Sequence, residues 1–284
     1  MIDMIYEDNL LQHFSAWDSI ESSLYYVIVG YYFLIFAYFL LMRYRTSKKL
    51  YWLFYSALFI FLAIGRVFFL AYYFYTPEIT GLLPTDMAAL LMSNYRFATF
   101  FTWIGVACVM GVLGILLFPP EAQPEWKEDD KTASKGKINL SPNAKLALRI
   151  ILIAIPIVVG ILALSLPNEY LMDPDIKAEY GLTIDLVTIG NYPIGRFILN
   201  LVMAPLLLFL IPFIFLYLAI KTFGVLRKSY FLNFIGFLLY AIGRIAQGVL
   251  ESLGYRHYEA ILPPLLILAA LLIIVIANNY EQLR

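Results

Sequence analysis

The tetrapeptide Ala-Ile-Gly-Arg occurs twice in this chain, at 63–66 and 241–244, each time inside an apolar run and about sixteen residues beyond a basic cluster. At 1.5 Å per helical residue, each guanidinium group would lie about 24 Å from that cluster. An arginine at such depth in a bilayer costs about 2.5–3.5 kcal/mol on insertion scales. Its repetition in matching context indicates that the charges of Arg66 and Arg244 serve a purpose.

Composition places the chain among polytopic membrane proteins. Apolar residues make up 62% of the sequence, aromatic residues 17% and charged residues 14%, which is too apolar for a soluble domain of this length. The first residues include Asp3, Glu7 and Asp8 and no basic leader, so we expect the first span to remain in the mature protein. The single cysteine, Cys108, excludes an intrachain disulfide.

Seven apolar runs are long enough to cross about 30 Å of hydrocarbon, which predicts an all-α, multi-pass protein with seven transmembrane helices. The connecting segments 43–49 and 221–228 carry basic residues and no acid, whereas 1–22 and 167–192 are mainly acidic. The positive-inside rule therefore predicts an external N-terminus and an internal C-terminus in the cell membrane. The predicted spans cover 23–42, 50–75, 97–118, 146–166, 194–220, 229–250 and 260–278.

The match between the two tetrads extends over 49–66 and 227–244, where aromatic residues and a basic start coincide. The simplest interpretation is a 3+1+3 parallel repeat, with two three-helix units around a central helix. In topology alone, this layout resembles that of SWEET-type carriers and of heptahelical receptors. The predicted units are an external segment 1–22, a first repeat 23–118, a cytoplasmic linker 119–145, a central fourth helix 146–166, an external loop 167–192 and a second repeat 193–284.

Cap signals predict where two of the helices begin. Ser141 followed by Pro142 is typical of an N-cap with proline in the first turn, so the fourth helix should begin there. Thr85 and Asp86 offer a similar cap without the proline for an extension of the third span. The third helix would then be about 50 Å long, which exceeds the bilayer and requires tilting or protrusion.

Two further patterns concern the second half of the chain. Pro205 and Pro212 lie within the fifth span and predict kinks, which we interpret as packing features in preference to hinges. In the external loop, apolar residues alternate with polar ones over 182–186, which predicts a short strand. That loop either covers the outer face as a lid or forms a plain connection.

Arginines inside the predicted spans are the candidates for a ligand-binding site. Besides the two repeated arginines, Arg96 begins the third span and Arg196 the fifth, and none of the spans has an acid in its centre. For these two we favour a role in helix packing, whereas for the repeated pair an anion-binding role and a packing role have equal weight. The nearest acids are Glu251 and Glu259, and Asn200 could add a hydrogen bond. The candidate ligand-binding residues are Arg66, Arg244, Arg96, Arg196, Asn200 and Glu251.

Several chemistries lack the residues they need. The seventh span has no lysine for retinal, no span contains a histidine for haem, and no intramembrane carboxylate is placed for proton pumping. The sequence also lacks a zinc spacing, a glycine-rich phosphate loop and a nucleophile with its base. We therefore expect no cofactor, no metal, no enzymatic activity and no nucleic-acid partner.

The sequence predicts a receptor-like or sensor-like membrane protein with an arginine-lined pocket near the outer leaflet. Its ligand would be an anionic or amphipathic small molecule, or the headgroup of a membrane lipid. Signalling would then require a cytoplasmic partner, because the chain ends at Leu283 and Arg284 without an output domain. The alternative is a small-solute transporter in which the two repeats rock about a central site.

Overall fold

The structure, a computed structural model, describes residues 15–119, 141–190 and 192–279, without the side chains of residues 251 and 252. Within these residues, seven helices are long and apolar enough to cross a membrane, as the sequence predicted. Most of the predicted segments 1–22 and 119–145 lies outside the described residues. The helices are α1 (Ala16–Ser47), α2 (Leu50–Glu78), α3 (Pro84–Leu117), α4 (Pro142–Ser165), α5 (Ile194–Lys221), α6 (Gly224–Ser252) and α7 (Arg256–Asn279).

The helix starts confirm one cap prediction and correct another. The Ser141 hydroxyl accepts a hydrogen bond from the Ala144 amide and Pro142 occupies the first turn, so α4 begins as predicted. The extension of α3 is also present, but it begins at Pro84 without a side-chain cap. The fixed φ of proline starts this helix in place of the predicted Thr85 and Asp86 cap.

Three helices contain a π-helical segment, in which the backbone widens locally. These segments are Phe39–Tyr44 in α1, Ala71–Tyr75 in α2 and Leu206–Leu210 in α5. The last one lies between Pro205 and Pro212, the two residues predicted to kink the fifth span. Because proline cannot donate a backbone hydrogen bond, a π segment is one way to rearrange the bonds that it interrupts.

The helices form a ring in which neighbours in sequence pack against each other, and α1 closes the ring against α7. The contacts of α2 with α3 and of α6 with α7 are the most extensive, whereas α5 touches α3 and α4 through few residues. Glycines allow the close approaches: a Cβ at Gly105 would lie 3.1 Å from the Leu62 side chain. We call the end with segments 43–49 and 221–228 the basic end, and the opposite end the hairpin end.

The segment after α4 is ordered and gives the hairpin end its name. It contains two short helices, Asn168–Leu171 and Pro174–Glu179, and an antiparallel pair of strands, β1 (Thr188–Ile189) and β2 (Tyr192–Pro193). The predicted strand over 182–186 is wrong, because these residues pair with no strand. Its alternation is nevertheless real: Leu182, Ile184 and Leu186 are half-buried against α2 to α5 at the hairpin end, while their neighbours in sequence are exposed.

Candidate functional site

The two repeated arginines converge on one shared aromatic ring, that of Phe69, between α1, α2 and α6. Arg66 is only 5% exposed, and its guanidinium carbon lies 4.2 Å from the ring centroid of Tyr25. The Arg244 guanidinium carbon lies 5.6 Å from the ring centroid of Phe69, and that of Arg66 lies 6.0 Å from the same ring. Both side chains therefore point into the bundle and bring two positive charges to one place.

Within the described residues, neither guanidinium group makes a hydrogen bond or an ion pair. Glu21 of α1 interacts electrostatically with Arg66, but it lies beyond ion-pair distance. A cation over a ring gains about 0.5–2 kcal/mol, whereas burying a charge costs several kcal/mol. The aromatic faces thus compensate only part of the burial of Arg66, and neither guanidinium group is directly bonded to a counter-charge among the described residues.

The tyrosines around this pair supply neutral polar groups. The Tyr25 hydroxyl is buried and has no hydrogen-bond partner among the described residues. Deeper in the bundle, the hydroxyl groups of Tyr32 in α1 and Tyr240 in α6 are hydrogen bonded at 3.2 Å. These hydroxyl groups can donate to an acceptor oxygen as well as accept a hydrogen bond. The arrangement therefore suits a group that is negatively charged and accepts hydrogen bonds.

The glycine of each tetrad sets the position of the arginine that follows it. A Cβ at Gly65 would lie 3.0 Å from the Ala98 carbonyl oxygen of α3, and one at Gly243 would lie 3.3 Å from the Pro263 carbonyl oxygen of α7. Both glycines thus let their helix approach the next one closely. The arginine is the next residue in the helix, about 100° further around the helix axis, so its side chain points away from the contact that the glycine makes.

A narrow cavity begins at Arg244 and continues between the helices. Apart from Arg244, its polar groups are the Tyr240 hydroxyl and the side chain of Thr102, and its remaining walls are apolar side chains of α2, α3, α5, α6 and α7. Its free space for a water-sized sphere is about 30 Å³, roughly one water molecule's share of the liquid. The site thus has a charged end and an apolar interior.

An acid cluster that the sequence did not predict lies between this site and the hairpin end. The Arg256 guanidinium group of α7 forms ion pairs with Asp18, with Glu21 at 3.6 Å and with Glu259 at 3.3 Å. Glu21 is only 2% exposed, and its Oε2 atom has no hydrogen bond from a described residue. Residues near the start of α1 and of α7 are thereby tied together.

The other two candidate arginines lie apart from the repeated pair and have partners. Arg196 is 7% exposed; its Nε donates to the Leu171 carbonyl at 2.5 Å, and its other nitrogens bond Tyr72 at 3.0 Å and Asp173 at 3.4 Å. A guanidinium nitrogen of Arg96 donates to the Leu166 carbonyl at 2.7 Å and to Asn168 at 2.8 Å. Both arginines hold the segment after α4 against the bundle.

The structure does not bring Asn200 to the repeated arginines. Asn200 is exposed on α5, and its side-chain amide donates to the Tyr192 hydroxyl at 2.8 Å. The side chain of Glu251, the remaining candidate, lies outside the described residues. The other acid considered as a partner, Glu259, pairs with Arg256 instead of Arg244.

A second polar cluster, also missed by the sequence analysis, links α1, α2, α6 and α7 near the basic end. The Asn233 side-chain oxygen accepts hydrogen bonds from Tyr55 at 3.2 Å and from Asn278 at 3.0 Å. Tyr51 donates to the Asn278 oxygen at 3.1 Å, and Arg43 donates to the Asn278 carbonyl at 3.0 Å. Asparagine within an apolar run was the available signal, because a buried amide requires partners.

These features define a class: an all-α, multi-pass membrane protein with seven candidate spans in its described residues and two arginines, one buried and one half-buried, that converge on Phe69. Comparisons with protein-family models, with curated proteins and with solved structures found no match to this chain. Function is therefore inferred from the chemistry of the site itself.

Proposed function

We propose that this protein is a receptor-like or sensor-like binding protein whose repeated arginines, Arg66 and Arg244, bind an anionic group inside the helical bundle. The observation that carries the proposal is the convergence of two guanidinium groups on Phe69, with neither forming an ion pair or a hydrogen bond to a described residue. A phosphate or carboxylate between them would receive charge-assisted, bidentate hydrogen bonds. The site contains no assigned catalytic group, and we propose binding without a reaction.

The charge distribution supports an orientation in the cell membrane. Segments 43–49 and 221–228 are basic, whereas the ordered segment at the hairpin end carries Glu169, Asp173, Asp175 and Glu179. With the basic end in the cytoplasm, the arginine pair lies in the outer half of the bundle. An anion would thus approach from outside or from the outer leaflet, and a cytoplasmic partner would detect the occupied state at the basic end.

The experiment is an anion titration of the melting temperature of the purified protein in neutral phosphatidylcholine nanodiscs. Inorganic phosphate should raise the melting temperature of the wild type, because a ligand that binds the folded state stabilises it. Arg66→Gln and Arg244→Gln should each weaken this response by about tenfold or more in phosphate concentration. Arg96→Gln is the matched control, since Arg96 is bonded to the end of α4, and it should respond like the wild type.

Two results would overturn the proposal. One is a melting temperature that no phosphate or carboxylate concentration raises in the wild type. The other is an equal response in the wild type, in Arg66→Gln and in Arg244→Gln, which would show that the anion binds elsewhere on the protein.

A transporter is the second candidate, and one specific observation favours it. The glycines of the two tetrads make equivalent contacts, Gly65 with α3 and Gly243 with α7, which is consistent with two parallel three-helix repeats. The extensive contacts of α2 with α3 and of α6 with α7 are consistent with the same symmetry. Flux of labelled phosphate in proteoliposomes that depends on Arg66 and Arg244 would favour the transporter, whereas stabilisation without flux favours the binding protein.

A further inference from the structure

The cavity next to Arg244 has the chemistry of a site for a molecule with one charged end. Its walls beyond Arg244, Tyr240 and Thr102 are apolar, and they include Leu58 of α2, Val106 of α3 and Leu271 of α7. A small inorganic anion would use the arginine end of this space and leave the apolar part without a function. An apolar chain attached to the anion would use both parts.

We propose that the ligand is a single-chain anionic amphiphile, with its headgroup at Arg66 and Arg244 and its hydrocarbon chain in this cavity. This inference rests on the proposed anion site and names the class of its ligand. A phosphate or a carboxylate headgroup satisfies the same chemistry, because both accept paired hydrogen bonds from guanidinium groups. The small free volume of the cavity, about 30 Å³, favours one chain over two.

Helix α5 is the wall that can make room for the chain. The present free space of about 30 Å³ is far too small for a long alkyl chain, so binding requires one wall to move outward. Leu207 and Ile211 of α5 line the cavity, within or beside the π segment Leu206–Leu210 and between Pro205 and Pro212. Because α5 touches α3 and α4 through few residues and packs mainly on α6, it can move away from α3 while it keeps its contact with α6.

The same helix separates the cavity from the surrounding lipid. The opposite face of α5 carries Phe209, Leu210 and Phe213, which are exposed and line a shallow apolar groove between Pro205 and Tyr217. A chain in the bilayer would therefore need to pass only one helix to reach the interior. This placement supports a ligand that arrives from the membrane and not from the aqueous phase.

In a bilayer, the hydrocarbon tail of the ligand contributes to binding through its fit in the cavity and not through the hydrophobic effect. Lipid chains are as apolar as the cavity walls, so moving the tail from lipid into the cavity yields no hydrophobic gain. Selectivity for the amphiphile must then come from the fit of one chain between α3 and α5. A side chain that fills this space should weaken binding of the amphiphile without affecting binding of a headgroup alone.

Two substitutions in the π segment form the test, with Leu207→Trp filling the cavity and Leu210→Trp placed on the lipid-facing side as the matched control. The probes are inorganic phosphate, hexadecyl phosphate and a two-chain phosphatidic acid, each titrated into nanodiscs of neutral phosphatidylcholine. We expect Leu207→Trp to raise the apparent Kd of hexadecyl phosphate by about tenfold or more. The indole ring would occupy the space that the alkyl chain needs, and forcing both into the cavity is unfavourable. Phosphate binding should be unchanged in both variants, and Leu210→Trp should bind hexadecyl phosphate like the wild type.

The outcomes separate this inference from the proposed function. If phosphate binding depends on Arg66 and Arg244 but Leu207→Trp binds hexadecyl phosphate normally, the anion site stands and the inference about the tail is overturned. Equal binding of the two-chain phosphatidic acid and hexadecyl phosphate would overturn it as well. If no probe depends on the two arginines, the proposed function itself fails.

Discussion

Two pairs of arginine in this protein, each with one buried and one half-buried member, differ in their hydrogen-bond partners. Arg196 donates to a carbonyl, a tyrosine hydroxyl and Asp173, and Arg96 donates to the end of α4 and to Asn168. Arg66 and Arg244 lie over aromatic rings, as Arg196 does over Tyr95 at 4.1 Å, but they have no hydrogen bond or ion pair to a described residue. The hydrogen bonds and ion pairs, and not the rings, therefore distinguish the two groups.

This contrast has an energetic consequence. Removing a buried charge that has partners leaves those partners unsatisfied, whereas removing one without partners relieves a desolvation penalty. Substitutions at the two groups should thus change stability in different directions.

The largest effect should come from Arg196→Gln. Glutamine removes the charge and cannot reach all three partners, so the Leu171 carbonyl, the Tyr72 hydroxyl and Asp173 lose their donors. We expect the free energy of unfolding to fall by about 3 kcal/mol. Thermal and SDS-induced unfolding in detergent measure the change. A loss below about 1 kcal/mol would show that the contacts of Arg196 contribute less to stability than expected for a buried charge.

A smaller loss should follow from Arg96→Gln. This half-buried side chain donates to the Leu166 carbonyl and to Asn168, so its replacement should destabilise the protein by about 1–2 kcal/mol. Proteolysis of the segment 167–190 should become faster, because Arg96 holds its beginning. An unchanged rate of proteolysis would show that Arg96 is not needed to keep that segment ordered.

The smallest effect on stability should come from substitutions of Tyr25, which compare the contribution of its ring with that of its hydroxyl group. Tyr25→Leu removes the ring beneath Arg66 and should destabilise the protein by about 1 kcal/mol beyond the effect of lost volume. Tyr25→Phe keeps the ring and removes a buried hydroxyl that has no partner among the described residues, so stability should change by less than about 0.5 kcal/mol. Equal losses in both variants would contradict the cation–π contact as the main partner of Arg66.

Much of the fold was accessible from the sequence because the membrane imposes a strong constraint. An apolar run that spans the bilayer must form a helix, since its backbone groups have no water to bond. All seven helices were predicted, and Ser141 with Pro142 marked the start of α4. The start of α3 at Pro84 and the strands at 188–193 were not predicted. Caps and short strands depend on local geometry that composition does not reveal.

The candidate site was accessible only in part. The tetrad repeat pointed to Arg66 and Arg244, and their inward direction follows from the close packing of Gly65 and Gly243. The ion pairs of Arg256 with Asp18 and Glu21 join residues more than 230 positions apart, so no local pattern contains them. The position of Arg196 near a span end favoured a packing role, but its partners lie in the segment after α4, and no local pattern identifies them.

The most direct test is the stability of the double variant Arg66→Met, Arg244→Met in the absence and presence of phosphate. We expect the free energy of unfolding without phosphate to equal or exceed that of the wild type, because two poorly compensated charges are removed. Phosphate should no longer raise the melting temperature of this variant. A loss of about 3 kcal/mol like that of Arg196→Gln, together with a normal response to phosphate, would contradict the account.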